Sequence, residues 1–228
     1  MDKCMSNIDN MRVVALFSLE HTLAWERLVK LEWPWEAITL IASYVREIGA
    51  ALDLSEYDKR DGNVWVHKTA KIAPSAFLGE NIIIGADTEV RHCAYIRKDA
   101  IVGSGAVVGN ATELKNVILF DGVQVPHYNY VGDSVLGYKS HLGAGAITSN
   151  VKSDSTLISV AYGDKRIETG LRKFGAILGD FAEVGCNTVL NPGTVVGAKS
   201  NIYPLSMVRG FVPANSIYKK QGEIIEKR

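Results

Sequence analysis

The chain has 228 residues, enough for one large domain, or one domain with a small appendage. It carries 25 basic and 25 acidic residues, so no net field draws nucleic acid or an anionic membrane, and neither is expected as a partner. The opening MDKCMSNIDN lacks the apolar core of a signal peptide, and no stretch approaches the ~20 apolar residues that cross a bilayer. Cys4, Cys93 and Cys186 are an odd set without a CxxC spacing, which fits a reduced chain in the cytoplasm better than a disulfide scaffold or a zinc site.

Residues 1–62 read as an N-terminal helical segment. A helical pattern runs from Glu20 to Lys30, with Leu23, Leu28 and Leu31 as inward positions. Trp33-Pro34-Trp35 interrupts it, because a residue before proline avoids helical angles, and Pro34 then suits the first turn of a second helix. That helix, Trp35 to Leu52, presents Ile38, Ile41, Tyr44, Val45 and Ile48 on one face. The bland reading packs this pair on the main domain; a membrane-surface helix would need a basic face, which is missing. Ser55 to Asn63 is polar and reads as a linker.

From Val66 the period changes to six: Val66, Ile72, Leu78, Ile84, Val90, Ile96, Val102, Val108 and Leu114 follow without a slip. Four residues after most of these aliphatics stands Ala or Thr. The beat returns at Leu178, Val184, Leu190, Val196, Ile202 and Val208. This is the hexapeptide signature of a parallel β-helix, mainly β, in which three hexads make one coil and each aliphatic points into a narrow core. Counting both runs predicts about seven coils over residues 63–217, followed by a tail, 218–228. Leu114 to Leu119 and Val131 to Leu136 are five-residue steps. Residues 151–172 lose the pattern and turn polar, and read as a loop inserted between coils, either solvated or functional.

The period turns sequence distance into stacking. Arg97 and Lys115 each follow a core aliphatic, and the repeat predicts one slot on successive coils, about 4.8 Å apart. Two such cations either splay into water or hold an anion between them, for which a phosphate fits. His127 and His92 fall on one face two coils apart. A lone histidine is more often structural than catalytic, but an imidazole titrates near neutral pH and suits a general base. Tyr128 and Tyr130 would close such a site or simply pack. His92, His127 and His141 match no local metal-ligand spacing, so no metal is expected.

At YIRKDAIVG, GNATELKN, VPHYNYVGD and LGAGAITSN, in that order, the chain resembles the C-terminal acetyltransferase domain of the bifunctional UDP-N-acetylglucosamine pyrophosphorylase/glucosamine-1-phosphate N-acetyltransferase family, over about Val64 to Ile217. The resemblance implies a left-handed β-helix, a homotrimer with sites between subunits, and acetyl-CoA as donor. It places His127 on the catalytic base and Arg97 and Lys115 on the residues that hold the sugar phosphate. Tyr130 and Asn150 fall on amino-sugar contacts, Lys173 on a further sugar-site lysine, and Glu113 within the same motif. Ala144, Cys186 and Pro204 fall on positions lining the acetyl-CoA groove. The chain departs from the family at His141, where asparagine is usual, and at Asn150-Val151-Lys152-Ser153, where NYDG is usual. Residues 1–62 are too short for the family's nucleotide-binding domain and lack its glycine-rich loop.

The expected activity is therefore N-acetylation of an amino-sugar phosphate or nucleotide-linked amino sugar in UDP-N-acetylglucosamine-type synthesis, without uridylyl transfer. His127 would take the amine proton, and backbone N–H groups between Gly143 and Ala146 would hold the oxyanion. Two other readings stay open: a non-catalytic sugar-phosphate or sugar-nucleotide binder partnering a separate nucleotidyltransferase, and a trimeric metalloenzyme of the carbonic-anhydrase-like β-helix type.

Overall fold

The structure, a computed structural model, describes residues 8–227; Cys4 lies outside the described residues. From Val64 the chain winds into a left-handed parallel β-helix of about 9 turns. That exceeds the seven counted from the regular hexads, because the less regular middle continues the coil. One inward ladder demonstrates it: Val66, Ile84, Val102, Leu119, Leu136, Leu178, Val196 and Val212 pair in turn through parallel register and are all buried. The steps Val102 to Leu119 and Leu119 to Leu136 are each one residue short of the usual coil, so the five-residue steps shorten a turn without breaking it.

The corners explain the small residues. At one corner Cys93, Ala111, Tyr128, Gly145, Asn187 and Leu205 repeat a left-handed backbone, with φ between 51° and 71°. At another, Asn63, Asn81, Asp99, Asn116 and Asp133 do the same. Asn and Asp tolerate this region better than other side chains. Small polar side chains beside the corners satisfy turn carbonyls: Thr88 donates to Gly103 O at 2.6 Å, Thr112 to Val125 O at 2.9 Å, and Ser200 to Pro213 O at 2.6 Å.

Several expectations need correction. The stretch Glu20–Lys30 is a 3₁₀ turn, Leu19–His21, and one helical turn, Trp25–Leu28, with Leu23 exposed. Trp35–Leu52 divides into a 3₁₀ helix, Pro34–Thr39, and an α-helix, Ile41–Ala51, since Leu40 leaves the regular helical geometry between them. Its stripe Ile38, Ile41, Tyr44, Val45 and Ile48 is buried against the solenoid. The linker contains a strand, Tyr57–Arg60, antiparallel to Val64–His67, which caps the first coil. The tail is likewise ordered, with Ser216–Lys220 antiparallel to Glu223–Glu226. Residues 151–172 form no open loop: Ile158–Tyr162 and Lys165–Leu171 make a hairpin whose Ile158 and Val160 are fully buried and whose Tyr162 ring lies 6.0 Å from Phe211.

Stacked turns approach closely enough that a methyl group matters. A Cβ on Gly109 would lie 1.6 Å from the Pro126 carbonyl oxygen. Gly109→Ala is expected to cost about 1–3 kcal/mol or more, as overpacked cores do. Differential scanning calorimetry should then show Tm lower by roughly 3–10 °C. Gly163→Asn, at an open turn with φ of 54°, should move Tm by less than about 2 °C, since asparagine accepts that backbone.

Candidate active site

His127 closes the strand Gln124–His127 at the corner that carries the Cys93-to-Leu205 series. The next residue, Tyr128, takes the left-handed conformation and is 64% exposed, so the aromatic packs against little and the imidazole is left on the surface. The turn is held from below by a buried amide. Asn129 Oδ1 accepts from the His127 backbone N–H at 3.1 Å, and Asn129 Nδ2 donates to the carbonyls of Gly143 and Ala146, both at 2.9 Å. Ordinary sequence reading passed over Asn129, although it stands inside the quoted VPHYNYVGD.

Corner hydrogen bonds order the neighbours of His127 into one file. Ala111 N–H bonds His92 O, Tyr128 N–H bonds Asn110 O, Gly145 N–H bonds His127 O, Asn187 N–H bonds Ala144 O, and Leu205 N–H bonds Cys186 O, at 2.9–3.2 Å. The file therefore reads His92, Asn110, His127, Ala144, Cys186, Pro204. His92 and His127 stand two turns apart, as the period predicts. Below His127 the three expected groove residues, Ala144, Cys186 and Pro204, fall on successive turns as a small, uncharged track. Between Gly143 and Ala146 the backbone donors are mostly taken: Gly143 bonds Val184 O, Gly145 bonds His127 O and Ala146 bonds Gly143 O. Only the Ala144 N–H of this stretch has no acceptor among the described residues.

The other face of the corner is polar. Tyr95, Glu113, Tyr130 and Ile147 pair in register on successive turns. The expected stacking of Arg97 on Lys115 does not occur. Because the turn from Val102 to Leu119 is one residue short, the register slips between Ile96 and Lys98, so Lys98 pairs with Lys115 and Arg97 bulges outward unpaired in the ladder. Each cation also has its own carboxylate. Arg97 donates to Glu113 at 2.9 Å, and Lys115 donates to both Asp133 oxygens at 2.8 and 3.0 Å. The hydrogen bond to Glu113 raises the Arg97 pKa further above its ordinary value.

Asp133 is the hub. It is 2% exposed and receives Lys115, the Asn116 amide at 2.8 Å and the Asn150 amide. Asn150 also reaches the Tyr130 hydroxyl at 3.3 Å. The Tyr130 phenol folds back over Gly132, where any Cβ would lie 2.5 Å from its oxygen. Burial first, then the charges of Asp133 and Glu113, push the Tyr130 pKa up, so it stays a neutral phenol. Lys173 is exposed beside Asn150, because Phe174 N–H bonds Asn150 O at 3.0 Å where the coil resumes. Arg97, Glu113, Lys115, Tyr130 and Asn150 are thus brought to one cluster, and Lys173 is adjacent to it only through the backbone bond of Phe174 to Asn150. The N-terminal segment buttresses it: Asn116 Nδ2 also donates to Ile38 O at 3.0 Å, and the Trp35 ring lies 5.9 Å from Phe174.

His141 stands on a different file and pairs through Nδ1 with Glu183 at 2.8 Å. Among the described residues, no group of three or more His, Cys, Asp or Glu side chains is placed to hold a metal ion. No helix among them is long and apolar enough to cross a membrane.

Asp133→Asn would leave the mostly buried Lys115 cation facing a neutral amide. Urea unfolding should show a loss of about 3 kcal/mol, the cost of breaking a buried pair. Adding Lys115→Met should recover part of that loss; no recovery would mean that Asp133 acts mainly through its amide partners.

A family model described as the GMPPB C-terminal domain matches residues 88–200. The bifunctional sugar-1-phosphate nucleotidylyltransferase/acetyltransferase of Sulfurisphaera tokodaii is 31% identical over 161 residues, covering 71% of this chain and 40% of its own length. The bifunctional protein GlmU of Methanococcus maripaludis is 29% identical over 198 residues, covering 86% of this chain and 48% of its own length. The chain thus spans under half the length of these curated relatives. Among solved structures, the acetyltransferase domain of PglB from Neisseria gonorrhoeae in complex with acetyl coenzyme A aligns at a TM-score of 0.32 and 15% identity, over 79% of this chain and 62% of that one. By sequence, the β-helix of this chain is a relative of the acetyltransferase domain of the bifunctional sugar-phosphate nucleotidylyltransferase/acetyltransferase family.

Proposed function

We propose that the chain is an acetyl-CoA-dependent N-acetyltransferase whose acceptor is an amino sugar bearing a phosphate, either free or nucleotide-linked. The carrying observation is the position of His127, an exposed imidazole at a corner fixed by Asn129, with a small uncharged track below it and a polar cluster beside it. Acetyl-CoA lies along Ala144, Cys186 and Pro204. Tyr130 and Asn150 contact the amino sugar; Arg97, Lys173 and Lys115 supply positive charge on that side, with Glu113 and Asp133 holding the first and last in place.

His127 takes a proton from the acceptor amine as its nitrogen attacks the thioester carbonyl carbon. The carbonyl oxygen gains the negative charge, and the unpaired Ala144 N–H, one turn below His127, stabilises it. Collapse breaks the carbon–sulfur bond, and the proton from the imidazole passes to the departing thiolate. The reaction needs no metal, and chelator is expected to leave it unchanged. The oligomer is a homotrimer that completes each site from a neighbouring subunit, for which light scattering after gel filtration should return three times the chain mass.

The test is thiol release from acetyl-CoA with glucosamine-1-phosphate and with UDP-linked amino sugars as acceptors. His127→Ala should lower kcat by about 10²–10⁴, the usual contribution of a general base. The same preparation is expected to make no UDP-sugar from UTP and a sugar phosphate. Acceptor-dependent turnover that survives His127→Ala would sink the proposed role of this residue, and no turnover with any amino sugar would sink the proposed activity.

A further inference from the structure

A cavity of about 380 Å³ opens where the chain leaves the coil after Asn150. Its floor continues a file of the solenoid. Lys115 pairs with Gly132, Tyr130 pairs with Ile147, Ser149 N–H bonds Leu190 O, and Asn191 N–H bonds Val208 O. Gly132, Ser149, Asn191 and Arg209 therefore follow one another down the face that carries the polar cluster. The cavity wall is the start of the excursion, Lys152, Ser153 and Asp154. That wall is ordered by its own bonds: Lys152 donates to Leu157 O at 2.7 Å, and the Asp154 carboxylate accepts from the Thr156 N–H at 2.9 Å and hydroxyl at 2.8 Å. The hairpin beyond is anchored through buried Ile158 and Val160.

The charges here differ from those in the cluster above. Arg97 and Lys115 are each engaged by a carboxylate. Arg209 forms no ion pair and no hydrogen bond among the described residues, and Lys152 bonds only neutral oxygens. Asp154, the cavity's single carboxylate, is turned to Thr156. The cavity therefore carries two cations against one anion, with the hydroxyls of Ser149 and Ser153 and the amide of Asn191 on its surface. The Asn191 amide is itself oriented by donation to Val208 O at 3.0 Å.

We infer that this cavity is a subsite for the phosphoanhydride of a nucleotide-linked amino sugar, with Arg209 as its principal ligand. A guanidinium offers a bidentate fork to phosphate oxygens, and the neighbouring hydroxyls complete the donor set. Its distance from the sugar selects the substrate. Arg209 lies two turns below Ser149 and Asn150, about 10 Å at ordinary strand spacing. A monophosphate on a ring whose amine meets His127 stays near the upper cluster, whereas a diphosphate linkage extends down the face. This inference rests on the proposed acetyltransferase reading and narrows its acceptor to the nucleotide-linked class.

The experiment measures UDP and inorganic pyrophosphate binding by calorimetry, and acceptor and acetyl-CoA KM values, for wild type, Arg209→Gln and Arg209→Lys. Arg209 is exposed, and an unchanged Tm verifies that each variant folds. Arg209→Gln should weaken UDP and pyrophosphate binding about 10-fold or more, with Arg209→Lys between, as expected when a charged, forked donor is lost. KM for a UDP-linked amino sugar should rise with it, while KM for acetyl-CoA and for glucosamine-1-phosphate stays unchanged. Unchanged UDP binding would overturn the inference. A rise in acetyl-CoA KM alone would assign the cavity to the coenzyme's phosphates and overturn it equally. Loss of UDP binding in Arg209→Gln, in a protein that transfers no acetyl group, would uphold the subsite while the acetyltransferase reading fell.

Discussion

Closing each turn of the solenoid requires a corner residue in the left-handed region and an inward aliphatic above another aliphatic. Everything else in the molecule follows from meeting that constraint about 9 times. The inside becomes a stack of Val, Ile and Leu, because only side chains of that size fill the narrow bore without leaving gaps. The outside becomes a set of files, in which residues distant in sequence stand one strand spacing apart. Function is arranged along these files: His127 sits above Ala144, Cys186 and Pro204 in one, and Gly132 above Ser149, Asn191 and Arg209 in another.

The shortened turns have a local consequence. Removing one residue between Val102 and Leu119 keeps the inward ladder in step, and the slip is absorbed on the outward side at Arg97. Arg97 leaves the file and turns to Glu113, while Lys115 turns to Asp133. Two cations that would repel if stacked are instead each neutralised. Because Asp133 is nearly inaccessible, its charge is tolerable only with this many donors around it. The same carboxylate fixes Asn150, and through it the Tyr130 hydroxyl, so the polar cluster is one connected unit.

That unit reaches into the N-terminal segment. Asn116 Nδ2 donates both to Asp133 and to the Ile38 carbonyl. Trp33 stacks on Trp35, and Trp35 meets Phe174 where the coil resumes after the excursion. Further along, Asp180 accepts the Ser18 and Tyr138 N–H groups, and the His21 ring stacks on Tyr138 at 3.6 Å. The helices therefore pack as a buttress behind the cluster, while the hairpin of residues 158–171 packs on lower turns, with Ile158 against Gly193, Ala161 against Gly210 and Tyr162 near Phe211.

The sequence alone determined the solenoid, because a six-residue beat of aliphatics has no other way to bury itself. It also determined the alignment of His92 with His127, since a fixed period makes stacking a matter of counting, whereas the structure set Ala144 above Cys186 across the inserted residues. The quoted motifs hold Tyr130 and Asn150, and the family resemblance added Lys173 by treating the excursion as an insertion; the Phe174 N–H bond to Asn150 O brings the chain back beside Asn150 after that insertion. Only the tertiary structure decided the partners of the charges. A one-residue deletion in a turn has the same sequence signature whichever side absorbs it, so the bulge at Arg97 was hidden. Asp133 and Asn116 stand at left-handed corners in the structure, but a corner's tolerance of Asn or Asp does not reveal whether the side chain faces water or a buried lysine. The hairpin at 158–171 escaped because its buried residues pack on the solenoid surface, a contact no local periodicity records.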